Sequence, residues 1–190
     1  MALEPRRPNP PSAPERQLIL FSVGTVVYGL PIDRVGAVVN PQSIIELPHP
    51  PHAIVGVTDH RGEVVPVIEL RTRFGLPPLD GPDARRKMKW IMVDVGETDK
   101  PRLIAAVVDV VHNVYMTRDA LRPPPPLGSG DDTRGIAGVL SRSASSQVTS
   151  SAGPESRETA LIFVLDLERL RALTEPLRAP SLPSPSGGKP

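Results

Sequence analysis

Three histidines and a carboxylate crowd one short stretch of this 190-residue chain: His49, His52, Asp59 and His60. Imidazoles three apart beside a carboxylate are a donor set of zinc and iron sites. His49 and His52, however, straddle Pro50-Pro51, and consecutive prolines forbid the helical face on which such a pair normally converges. Four further acids, Glu69, Asp94, Asp109 and Asp166, stand within or beside apolar runs. Paired carboxylates can do acid and base chemistry, but acids at strand ends more often face water. There is no GxSxG elbow, phosphate-cradling glycine loop or dinucleotide fingerprint, and Gly128-Ser129-Gly130 reads as a flexible turn. The chain has no cysteine, which removes a thiolate metal site, a thiol nucleophile and any disulfide framework. The residues therefore ask for binding rather than chemistry. A small metal-dependent hydrolase using His49, His52 and His60 is the weaker alternative.

The elements that would position these residues follow from composition and pattern. Lys and Arg number 22 and Asp and Glu 21, a near cancellation that leaves no electrostatic footprint for a nucleic acid backbone or an anionic membrane. One Trp, two Tyr and three Phe are too few for a base-stacking platform, so protein partners are expected and nucleic acid is not. Met1 to Arg16 alternates Pro, Arg and Glu without an apolar core, unlike a signal peptide. No apolar run reaches the ~20 residues that span a bilayer, and a cytoplasmic protein with no membrane insertion is expected. Prolines, 25 in all, exceed the ~5% of ordinary chains and gather at the ends and in one internal run, Pro123 to Pro126. Such a run can be a ligand for an aromatic groove, but its place here favours a stiff connector.

From Gln17 the chain reads as β-structure. Leu18 to Val23, then Gly24-Thr25, then Val26 to Ile32 make a hairpin, and Ile32 to Val39 adds a further short stretch. Ile54 to Val57 and Val64 to Leu70 flank Asp59-His60-Arg61-Gly62, a tight-turn composition. Pro66 inside the second of these marks an edge or a bulge, because proline gives no amide hydrogen to a ladder. The second half repeats this order about 75 residues later. Trp90 to Gly96 answers Leu20 to Gly24, and Val108 to Val114 answers Ile32 to Val38. Pro123 to Pro126 answers Pro48 to Pro51, Ile136 to Val139 answers Ile54 to Val57, and Phe163 to Leu167 answers Pro66 to Leu70. Two small β-modules follow, each with too little core to stand alone and each closing its edges as a barrel. Leu76 to Lys87 is a polar connection between them, and Glu168 to Leu173 starts a short C-terminal helix.

The order and spacing of certain residues resemble the CheW-like family. They are Phe21-Ser22-Val23-Gly24, Tyr28-Gly29-Leu30-Pro31-Ile32, Val35, Leu47-Pro48, Gly56-Val57, Arg61-Gly62, Val65-Pro66-Val67-Ile68 and Leu70 to Gly75. Val107-Val108-Asp109, Arg122 to Pro125, Ile136-Ala137-Gly138 and Leu165-Asp166-Leu167 add to them. The resemblance implies an all-β fold of two intertwined five-stranded SH3-like β-barrel subdomains sharing a core. On that expectation residues 16–174 form the domain, with subdomains at about 30–88 and 89–160 that exchange strands at their ends. A Ser-rich insertion at 143–159 and disordered Pro-rich ends at 1–15 and 175–190 would lie outside it.

The same resemblance implies a non-enzymatic scaffold without cofactor that binds the regulatory domain of a CheA-type histidine kinase and the cytoplasmic tip of methyl-accepting chemoreceptors. It marks Gly56, Arg61 and Gly62 as a turn region for receptor or kinase contact, and Ile32 and Val35 as lining the groove that receives receptor helices. Ala37 stands where many relatives carry Glu, Asp59-His60 where Asn and Leu are usual, and the insertion is longer than typical. A different receptor choice follows, and a CheW-like module tied to an output other than a motility kinase is the alternative.

The insertion generates the first prediction. A polar Ser-rich loop buries little area, and loop length changes closure entropy only slowly. Deleting residues 143–158 should leave the melting curve and partner binding intact; aggregation of the deletion variant would show the segment to be structural.

Overall fold

A computed structural model of the chain describes residues 15–50, 53–79, 81–124, 135–142 and 160–175. The strands in chain order are β1 (Arg16–Val23), β2 (Val26–Pro31), β3 (Val35–Val39), β4 (Ile54–His60), β5 (Glu63–Glu69), β6 (Lys89–Asp94), β7 (Leu103–Val108), β8 (Val110–Thr117), β9 (Ile136–Arg142) and β10 (Ala160–Leu165). Three helices, α1 (Leu70–Arg73), α2 (Pro82–Lys87) and α3 (Leu167–Leu173), and a 3-10 turn at Ile32–Arg34 complete the described residues. The insertion and both Pro-rich ends lie outside them, as do Pro51, His52 and Gly128-Ser129-Gly130.

The strands form two five-stranded sheets, β8-β1-β2-β10-β9 and β3-β6-β7-β5-β4. If each strand of the first half is exchanged for its counterpart in the second (β1 for β6, β2 for β7 and so on), one order becomes the other. The internal duplication is therefore real, but neither copy makes its own sheet. The first sheet takes β1 and β2 from the first half, and the second takes β6 and β7 from the second half. The boundary expected near residue 88 accordingly falls inside the second sheet, which runs from Val35 to Val108. Each exchange is locked by one parallel pairing, β10 with β2 and β5 with β7.

Burial explains why the strands read as unbroken apolar runs rather than alternating ones. In β6, Ile91 and Val93 face a central core while Trp90 and Met92 face a second one inside their own sheet. In β1, Ile19 and Phe21 face the central core and Leu18 and Leu20 a third cluster. The central core is shared by both sheets. At its middle Tyr28 stacks on Phe21 and Phe74, with centroids at 5.8 and 4.7 Å, and tilts against Phe163 at 6.1 Å.

Several local expectations are corrected. Ile32 to Arg34 is not strand but a 3-10 turn, because the chain must bend there to leave the first sheet and enter the second. The stretch from Leu103 is likewise two strands, broken at Asp109 where the second crossing occurs. Pro66 sits on an interior strand rather than an edge. Its ladder with β7 begins only at Val67, so the missing amide hydrogen is not needed there. The connection at 76–87 contains α2, started by Pro82 with Asp83 in its first turn and ended by Arg85, Arg86 and Lys87, all favourable to the helix dipole. This places a basic face on the surface that the near-zero net charge conceals. Among the described residues no helix is long and apolar enough to cross a membrane.

At the second crossing, Asp109 is buried rather than facing water. Its Oδ2 accepts the Gly24 amide at 2.7 Å and the Arg71 Nη1 at 2.5 Å, while its own amide donates to Ser22 at 3.1 Å. Gly24 belongs to the β1–β2 turn and Arg71 to α1, so one carboxylate ties the two sheets together. The side chains of Arg71 and Asp109 are only 12% and 11% exposed. Removing one partner of such a pair leaves an uncompensated buried charge, at a cost of about 3 kcal/mol. Arg71→Met should therefore lower the melting midpoint by roughly 6 to 12 °C. Arg71→Met combined with Asp109→Asn, which keeps an acceptor for Gly24, should recover more than half of that loss. A single variant as stable as the parent would sink this account.

Candidate functional site

The residues singled out by resemblance fall in three places. The first is the tip of the β4–β5 hairpin, where His60 and Glu63 face each other across two residues, Arg61 and Gly62. Their φ angles are +58° and +85°, the pairing of a type I′ turn, whose twist matches that of the strands. Glycine adopts this freely, whereas arginine does so at a cost on the order of 1 kcal/mol. Asp59 Oδ1 accepts the Gly62 amide at 2.9 Å and fixes the turn. Arg61 is thereby carried, exposed, on a rigid tip, and among the described residues no hydrogen bond or ion pair engages its guanidinium. Val64 beside it is 71% exposed, so the tip presents a cation next to an apolar side chain.

Gly56 belongs to the same hairpin but is buried, beneath the segment that precedes β4. A Cβ there would collide with the Ile45 carbonyl oxygen and with Ile44, and Ile45 and Val57 exchange backbone hydrogen bonds of 2.8 and 2.9 Å. The duplicated half repeats this arrangement. A Cβ on Gly138 would collide with Leu121 and the Arg122 carbonyl, and Arg122 and Val139 exchange bonds of 3.0 and 2.8 Å. Gly56 is thus placed as half of a clasp that lays a loop over its strand, and what the clasp offers to solvent is Ile45, 66% exposed.

The third place is the crossing from the first sheet to the second. Ile32, half-buried, lines a groove of about 850 Å³ whose floor includes Leu121 and Leu167 and whose rim carries Asp33 and Glu168. Val35 packs half-buried against the central core, and Ala37 against the core of the second sheet. Of the six expected residues, then, only Ile32 opens onto the groove, and the hairpin tip is a separate surface. The crossing is pinned by Arg34, whose Nε donates to the Asp94 carbonyl at 2.9 Å and whose Nη2 donates to the Gly96 carbonyl at 2.5 Å. Burial pushes the Asp94 carboxyl up. The amides of Arg102 and Gly96, at 2.9 and 2.8 Å, and the charge of Arg34 outweigh this and hold it below its ordinary value.

The remaining candidates for chemistry have structural partners. Glu69 accepts the Thr72 hydroxyl at 2.7 Å, and Asp166 caps α3 by accepting the Glu168 and Arg169 amides at 3.0 and 3.3 Å. His60 is buried at the end of β4 and His49 is exposed. Among the described residues no three His, Cys, Asp or Glu side chains gather as metal ligands.

Comparison with known proteins agrees with this geometry. Residues 17–174 match the model of the CheW-like domain family. A probable chemotaxis protein CheW of Rhizobium etli is 31% identical over 127 residues, 66% of this chain and 77% of that one. Protein FrzA of Myxococcus xanthus is 33% identical over 134 residues, 70% of this chain and 79% of that one. The crystal structure of the scaffolding protein TtCheW from Thermoanaerobacter tengcongensis superposes with a TM-score of 0.61 at 26% identity. That match covers 82% of this chain and 91% of the other.

The paired clasps yield a prediction that separates structure from contact. Gly56→Ala and Gly138→Ala should each cost about 2 kcal/mol in urea denaturation, since added volume meets backbone that cannot yield. Gly56→Ala that keeps full stability while losing a partner would instead make Gly56 a contact residue.

Proposed function

The chain belongs to the CheW-like domain family, and on that premise we propose that it is a non-enzymatic cytoplasmic scaffold coupling methyl-accepting chemoreceptors to a CheA-type histidine kinase. The observation that carries the reading is that the family match spans both sheets and α3, from residue 17 to 174. It therefore covers a complete double-sheet body and not one shared motif. Coupling needs no turnover, only two binding surfaces held in fixed relation. The hairpin tip with Arg61 and Gly62 and the groove at Ile32 are two such surfaces on one rigid body. Affinity at each can be modest, because an array multiplies weak contacts. Ala37, where the family often has glutamate, supports a receptor choice of its own within the same role, including a pathway with an output other than motility.

Arg61 tests the reading. A guanidinium bridges carboxylates or carbonyls by forked hydrogen bonds, and truncating such a contact costs on the order of 2 kcal/mol, or about thirtyfold in affinity. The turn conformation is no worse for alanine than for arginine, so Arg61→Ala should change stability by no more than about 0.5 kcal/mol. Titration of parent and variant with the cognate kinase regulatory domain and with a receptor cytoplasmic fragment, beside melting curves, is the measurement. Unchanged affinity for both partners would refute the interface role. A large fall in melting temperature would make Arg61 a structural residue. A parent that binds neither partner would refute the scaffold itself.

A further inference from the structure

The two sheet crossings are counterparts in the internal duplication, yet one is closed and the other open. At the closed crossing Asp109, on the β7–β8 junction, pairs with Arg71, the second residue of α1. At the open crossing the position of Asp109 is held by Asp33, on the β2–β3 junction, and the position of Arg71 by Glu168, the second residue of α3. Both helices start directly after their strand, capped by Glu69 and by Asp166, so the alignment holds in structure as well as in sequence. Two carboxylates cannot close a crossing as an ion pair does. The result is the groove of about 850 Å³ that contains Asp33 and Glu168 together with apolar Ile32, Leu121 and Leu167. Both acids are exposed, and among the described residues neither carboxylate is engaged by a hydrogen bond or ion pair. The structural work at this crossing has passed to the neighbouring Arg34, which holds the β6–β7 turn through its carbonyls. Asp33 is therefore left facing the groove.

We propose that this groove takes a helix of the chemoreceptor tip that presents an arginine beside an apolar side chain, the guanidinium filling the place between Asp33 and Glu168 that Arg71 fills internally at the other crossing. The inference rests on the scaffold reading and names a specificity-determining pair within it. Charge complementarity points to a cationic side chain. The closed crossing shows that a guanidinium satisfies this local geometry, and a narrow groove with an apolar floor suits one face of a helix rather than the broad face of a second domain. A helix reaches both features at once, since residues three or four apart lie on the same face. Asp33 and Glu168 would then select receptors by charge, and the effect would weaken with salt because both acids are exposed.

The decisive variant is Glu168→Arg, which recreates internally the pairing of the closed crossing. It should melt at or above the parent's temperature, bind the receptor cytoplasmic fragment at least tenfold more weakly, and bind the kinase regulatory domain as the parent does. Glu168→Gln should lose receptor affinity by a smaller factor and show a shallower salt dependence, and it serves if Glu168→Arg fails to fold. Unchanged receptor affinity in both variants overturns the inference while leaving the scaffold reading intact, provided the parent binds both partners. Loss of kinase rather than receptor binding overturns the assignment of the occupant. Tighter receptor binding after removal of residues 1–14 in the parent, but not in Glu168→Arg, would also overturn it, because the groove would then be held by the chain's own Arg6-Arg7. A parent that binds neither partner fails the scaffold reading and this inference with it.

Discussion

A chain that crosses between two packed sheets must bury a bend, and the carboxylate of Asp109 is what makes one of those bends tolerable. It accepts the Gly24 amide and the Arg71 guanidinium from opposite sides while its own amide donates to Ser22. The β1–β2 turn, α1 and the β7–β8 junction are thereby joined at one point. Buried ion pairs of this kind add little net stability over a well-packed apolar alternative, but they are costly to break. Their effect is to hold the sheets in one relative position, and the central core inherits that position: Phe21, Tyr28 and Phe74 stack across the interface in fixed order.

The exchange of strands makes the two sheets one cooperative body. β2 pairs with β10 and β5 with β7, in parallel, across the duplicated halves. Neither half can leave without taking a strand from the other's sheet, and the central core draws side chains from both. A scaffold benefits directly. Two binding surfaces on independent modules would drift with the linker, whereas surfaces on one interlocked body keep the distance and angle between their partners.

Duplication also offers an internal control for function. Where both copies keep the same device, as with Gly56 under Ile45 and Gly138 under Arg122, the device serves the fold. Where the copies differ, the fold has been satisfied by other means. Arg34 carries the tie at the crossing where Asp33 and Glu168 stand open. The difference between a closed seam and an open groove thus comes down to which residue type follows the first position of a short helix.

Strand order, duplication and the continuous apolar runs of Leu18 to Phe21, Trp90 to Val93 and Ile104 to Val108 were legible in the sequence. Alternation vanishes when both faces of a strand are buried, and turn residues such as Arg61-Gly62 punctuate locally. Local signals also located the candidate residues Ile32, Val35, Ala37, Gly56, Arg61 and Gly62 along the chain. Only the tertiary structure decided which of them share a surface, because that depends on which strands are exchanged and where the crossings bend. Val35 and Ala37 pack against two different cores although two residues apart, and Gly56 lies beneath a loop from ten residues upstream that its own lack of a side chain admits. The pairing of Asp109 with Arg71 spans 38 residues, and no local pattern announces it. A charge is placed by the fold that buries it, and the same residue type at the chain's other crossing, Asp33, was left to face a groove because its counterpart is a glutamate.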